Sequence, residues 1–115
     1  MPTCRPTYHP DVDIPEIDIE TFAARLADGA PVFDVRQPDE YEEAHVPGVQ
    51  LVPLDQVPDR VSDFPTDDTV YVICRSGGRS AKAVEFLRTR GVQAVNVAGG
   101  TQGWIDARKP VETGA

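Results

Sequence analysis

Apolar residues in this chain fall into two spacings that take turns along its length. Short runs in which almost every residue is apolar read as buried strands: Val32 to Val35, Val49 to Val52, Val70 to Ile73 and Ala94 to Val97, with a shorter edge strand at Glu16-Ile17. Between them come stretches with helical spacing. Ile19, Phe22, Ala23 and Leu26 share one face, Asp18 stands at the capping position before them, and Gly29 follows the end. Pro38 opens a short helix through Ala44, Leu54 to Val61 is a weak helix interrupted by Pro58, and Ser80 to Leu87 is amphipathic. Strands near 16, 32–35, 49–52, 69–73 and 94–97 alternating with helices predict an α/β fold: a three-layer domain with a mostly parallel five-stranded sheet and helices on both faces.

A chain of 115 residues supports one core and not two. The expected organisation is an N-terminal arm at 1–15, a domain at 16–108 and a C-terminal tail at 109–115. Four prolines (Pro2, Pro6, Pro10 and Pro15) deprive the arm of regular structure until it packs back near its end. The formal charge of −8 gives no basic face for nucleic acid or an anionic membrane surface. No apolar run nears the roughly 20 residues of a membrane span, and the start lacks a signal-peptide core, so the expectation is a cytoplasmic protein. Cys4 and Cys74 form no disulfide framework, and with His9 and His45 they have no metal-ligand spacing; no metal and no cofactor are expected. Cys4 and His9 read as incidental residues of the arm.

The strongest chemical signal is Cys74-Arg75-Ser76-Gly77-Gly78-Arg79-Ser80, between the Val70 strand and the following helix. Strand carboxyl ends face the ligand crevice in such sheets, and a loop entering a helix aims backbone N–H groups at its own centre. Gly77 and Gly78 let the loop curl into an anion-binding nest, both being read as positions of positive φ where a β-branched side chain is disfavoured. Arg75 and Arg79 flank it with positive charge. A thiol so placed is expected to have its pKa lowered from about 8.5 into the range of roughly 3.5–7.5. Because the chain as a whole repels anions, this loop is also its best site for an anionic substrate.

The heptapeptide after Val-Tyr-Val-Ile resembles the active-site loop of the rhodanese family of sulfurtransferases. Two further stretches agree: Asp34-Val35-Arg36 through His45-Val46-Pro47-Gly48 before the loop, and Gly99-Gly100-Thr101-Gln102-Gly103-Trp104 after it. The resemblance covers about residues 16–108. It implies a single-domain thiosulfate sulfurtransferase with Cys74 as the catalytic nucleophile, and with Arg75, Ser76, Gly77, Gly78, Arg79 and Ser80 holding substrate by amides and charge. The partners so implied are a small anionic sulfur donor and a thiol or protein acceptor, cyanide serving in an assay, with the chain a monomer or weak homodimer.

The supporting residues have structural readings beside functional ones. Asp34 and Arg36, at a strand end, are expected to hold loops through bonds to backbone N–H groups or to a partner such as Glu42. His45 has the chemistry of a base for Cys74 but reads as structural. Trp104 is expected to pack under helix ends, and Gly99 and Gly100 to allow close backbone approach beside the cysteine loop. Arg79, at the helix start, is placed to turn outward or into an ion pair, whereas Arg75 projects toward the pocket mouth. Two alternatives remain: a rhodanese-like phosphatase or arsenate reductase, and a non-catalytic rhodanese-like binding module. The phosphatases resembling this family have five residues between cysteine and arginine; here there are four, a tighter nest suited to one sulfur atom.

Overall fold

A computed structural model describes residues 14–114. Cys4, His9 and most of the arm lie outside the described residues. Five strands alternate with the other elements: β1 Glu16–Ile17, β2 Val32–Asp34, β3 Gln50–Leu51, β4 Thr69–Ile73 and β5 Gln93–Val97. The helices are α1 Ile19–Ala27, α2 Pro38–Glu43, α3 Gly78–Thr89 and α4 Gly100–Asp106, with a 3-10 segment at Leu54–Asp63. The sheet runs β1-β5-β4-β2-β3, and every pairing is parallel.

The period-2 alternation of the strands divides the core between two faces. Val70, Val72 and Cys74 point with Phe33, Val35 and Ala94 to the side covered by α3 and the 3-10 segment. Tyr71 and Ile73 point the other way with Val32 and Val97, where Phe22 of α1 and Trp104 of α4 close the core. Phe22 and Trp104 meet edge to face at 5.5 Å. This is the three-layer α/β arrangement expected from the alternation of patterns.

The details follow from local chemistry. Asp18 caps α1 by accepting from the Thr21 N–H at 2.8 Å, and Gly29 leaves it at φ +88°. Pro38 occupies the first turn of α2, where its missing N–H costs nothing. The weak helix around Pro58 is 3-10 in character with non-helical backbone at Arg60, as a proline inside a helical stretch requires. Ile14 and Pro15, assigned to the arm, pack with the domain: Ile14 is buried in the core, and the Pro15 carbonyl accepts from the Asn96 N–H at 2.9 Å.

Two stretches differ from the sequence reading. The glycine-rich element at 99–104 contains the start of a helix, α4, entered through Gly99 at φ +85°. Glycine's poor helix propensity is accompanied here by close contact: a Cβ on Gly103 would stand 3.2 Å from Ile19 Cγ1, so a larger residue would require the Ile19 side chain to shift. The segment after 108 returns to the domain instead of trailing from it. Pro110 accepts from Trp104 Nε1 at 2.7 Å, His45 and Glu112 exchange two backbone hydrogen bonds of 2.8 Å, and the Gly114 N–H reaches the Glu42 carbonyl at 2.7 Å. No helix among the described residues is long and apolar enough to cross a membrane.

Candidate active site

Cys74 is the first residue beyond β4, at the carboxyl end of the sheet's central strand, and is 1% exposed. Its Sγ accepts from the Gly77 N–H at 3.1 Å and lies 3.3 Å from Ser80 Oγ. Burial opposes ionisation of this thiol. The Ser80 hydroxyl and the N–H groups of Ser80, Gly77 and Ser76 outweigh it, leaving the pKa below the ordinary 9.0.

The loop is held from behind by α4. The N–H groups of Thr101 and Gln102 donate to the carbonyls of Cys74 and Arg75 at 2.8 and 2.9 Å, so those carbonyls turn away from the sulfur and the following amides turn toward it. Gly77 sits at φ +112° as the N-cap of α3, which starts two residues before Ser80. Gly78 differs from the expectation. Its φ is not positive, and a Cβ there would meet nothing within 4 Å, because it is already the first residue of α3. One glycine, not two, forms the turn.

The two arginines separate. Arg79 makes a bidentate pair with Glu40 of α2 at 2.6 and 2.8 Å, and Arg79 holds the Glu40 carboxyl down at about 2. Arg75 is exposed and has no ionic partner among the described residues. It borders a cleft of about 320 Å³ shared with Glu43 and Gln102.

Asp34 and Arg36 pair with each other, not with Glu42. Arg36 Nε and a terminal guanidinium nitrogen donate to the Asp34 carboxylate at 2.9–3.1 Å, and the same terminal nitrogen reaches the Ala44 carbonyl at 2.8 Å. Both are buried, which ties the β2 end to the end of α2. His45 stacks on Tyr41 at 3.7 Å. Its Nδ1 lies 2.7 Å from the Tyr41 carbonyl and its Nε2 3.6 Å from Glu112, so both ring nitrogens face away from a role at Cys74.

Two residues at the site were not singled out from the sequence, Asn96 and Glu16. Asn96 is fully buried with Oδ1 2.5 Å from Ser80 Oγ, and its Nδ2 donates to Glu16 Oε2 at 2.8 Å. A polar residue at an inward position of an otherwise apolar strand was the available signal for Asn96. Glu16 carried none, because its place depends on its being the register partner of Asn96 across β1 and β5.

Fold and site together define an α/β domain that presents a hydrogen-bonded, buried cysteine at the carboxyl ends of parallel strands. The Rhodanese-like domain family model matches residues 18–107, and the chain belongs to that family. It is 35% identical over 99 residues to a protein of Allochromatium vinosum named sulfurtransferase, covering 84% of this chain and 92% of that one. It is 38% identical over 87 residues to the thiosulfate sulfurtransferase PspE of Escherichia coli (strain K12), covering 69% and 84%. YrkF of Bacillus subtilis (strain 168) is 38% identical over 94 residues, 79% of this chain, and the chain spans only 51% of that protein. Among solved structures, a rhodanese-like domain protein of Staphylococcus aureus superposes with a TM-score of 0.81 at 32% identity, covering 89% of this chain and all of that one.

Proposed function

We propose that this protein is a thiosulfate sulfurtransferase that carries sulfane sulfur as a persulfide on Cys74. The observation that carries the reading is the Cys74 Sγ itself: buried, 3.1 Å from the Gly77 N–H, in a loop with only four residues before Arg79. The thiolate attacks the outer sulfur of thiosulfate. A new S–S bond forms while the donor's S–S bond breaks, and its electron pair leaves on sulfite. The outer sulfur then carries the negative charge, for which the loop amides are the donors. A thiophilic acceptor, cyanide in an assay or a thiol, attacks that sulfur and releases Cys74 as thiolate. The cycle is redox-balanced and needs no cofactor. Arg75, exposed next to Cys74 in the loop, attracts the anionic donor to an otherwise acidic protein. The pairing of Arg79 with Glu40 supports sulfur over phosphoryl transfer, since that guanidinium is committed outside the nest.

Intact mass after incubation with thiosulfate tests this. The parent is expected to gain about 32 Da that cyanide removes, and Cys74→Ser to gain nothing, 32 Da being the mass of one sulfur atom added in a covalent intermediate. Equal gain in both proteins, or none in the parent, overturns the assignment.

A further inference from the structure

We propose that Asn96 is a positioning residue for Cys74: it is the second acceptor for the single hydroxyl proton of Ser80 and so sets how firmly that proton is committed to the sulfur. Ser80 Oγ lies 2.5 Å from Asn96 Oδ1 and 3.3 Å from Cys74 Sγ. One hydroxyl donates one proton, so both acceptors cannot be served at once. With the sulfur as a thiol, S–H donates to Ser80 Oγ and the hydroxyl donates to Asn96. With the sulfur as a thiolate, which only accepts, the hydroxyl turns to it and Asn96 Oδ1 loses its partner.

The amide has no freedom to evade this choice. Its Nδ2 donates to Glu16 Oε2 at 2.8 Å and faces the Gly77 carbonyl at 3.3 Å, which directs Oδ1 at Ser80. Glu16 is held beside it because the two residues are partners in the parallel β1–β5 register. Ser80 and Asn96 are both fully buried, so their bond is not diluted by water. Asn96 thereby favours the two states in which Sγ is uncharged, the thiol and the proposed persulfide, against the free thiolate.

The charged groups around the sulfur come from every neighbouring element. They are Arg75 in the loop, Arg79 of α3 with Glu40 of α2, the Asp34–Arg36 pair at the end of β2, and Glu16 of β1. Substituting Asn96 removes none of these charges, but it does remove the Nδ2 donor to Glu16 and to the Gly77 carbonyl, so the comparison in a Ser80→Ala background is what isolates the acceptor.

The inference rests on Cys74 being the reacting sulfur, but its test needs no sulfur donor and so fails separately from the transfer reading. The rate of iodoacetamide alkylation of the Cys74 peptide is followed against pH. Asn96→Leu, which keeps the branching of the side chain and removes the acceptor along with the rest of the amide, is expected to lower the midpoint by about 0.5–1 pH unit, the size of one net hydrogen bond. Ser80→Ala is expected to raise it, and in the Ser80→Ala protein the effect of Asn96→Leu vanishes. Asn96→Ala repeats the measurement should the leucine protein fail to fold. A folded Asn96 variant with an unchanged or raised midpoint overturns the proposal. So does a downward shift that survives Ser80→Ala.

Discussion

Gly100 lies against the backbone of Arg75 so closely that a Cβ there would stand 2.6 Å from the Arg75 carbonyl oxygen. Its φ of +59° adds a conformation that side chains resist. This contact seats α4 behind the cysteine loop and lets Thr101 and Gln102 hold the two carbonyls that define it. Gly100→Ala is therefore expected to cost about 2–5 kcal/mol, combining overpacking with strain. Denaturant unfolding measures it, and a loss under about 0.5 kcal/mol, the range of ordinary surface changes, would contradict the contact.

The two loop glycines should answer differently to substitution. Gly77→Val places a β-branched residue at φ +112° and is expected to lower both stability and persulfide loading. Gly78→Ala adds a methyl to open space in a helical turn, so a gain of about 0.5–1 kcal/mol is expected. Thermal melts of the two variants separate these outcomes; equal destabilisation of both would show that the second glycine also carries strain.

Removing the guanidinium of Arg36 strands the Asp34 carboxylate, which is fully buried. Arg36→Met is expected to cost about 3–5 kcal/mol, because an unpaired buried charge is left behind. A variant of normal stability that no longer binds the sulfur donor would instead make Arg36 a substrate contact.

Acid should erase the contribution of the Glu40–Arg79 pair. The folded-state carboxyl is depressed to about 2 from an ordinary 4.5, so the stabilisation is complete above 4.5 and disappears as pH falls toward 2. Glu40→Gln is expected to lose about 1 kcal/mol at pH 7, modest because both side chains are partly exposed. Melting temperatures of parent and variant, compared from pH 7 to pH 2, should converge over that acid window. A gap that persists at pH 2 would assign the loss to packing.

The alternation of buried runs with helical faces, read with Asp18, Gly29 and Pro38, was enough to place five strands and the main helices, because each of those signals acts within a few residues of itself. The same holds for Cys74, whose glycine turn and helix start are contiguous in the chain. The boundary errors are local competitions: Gly78 joins α3, and the glycines at 99–103 begin α4 because close packing on Ile19 and on the Arg75 carbonyl outweighs their weak helix propensity.

What the sequence determined by itself is thus the layer pattern and the place of the cysteine loop between strand and helix, both written in contiguous chain. Which distant polar groups pair was decided only by tertiary structure. Arg79 finds Glu40 39 positions away, and Asn96 finds Glu16 at a separation of 80. Those partners meet through parallel register and loop closure, and neither leaves a mark in the local spacing of residues.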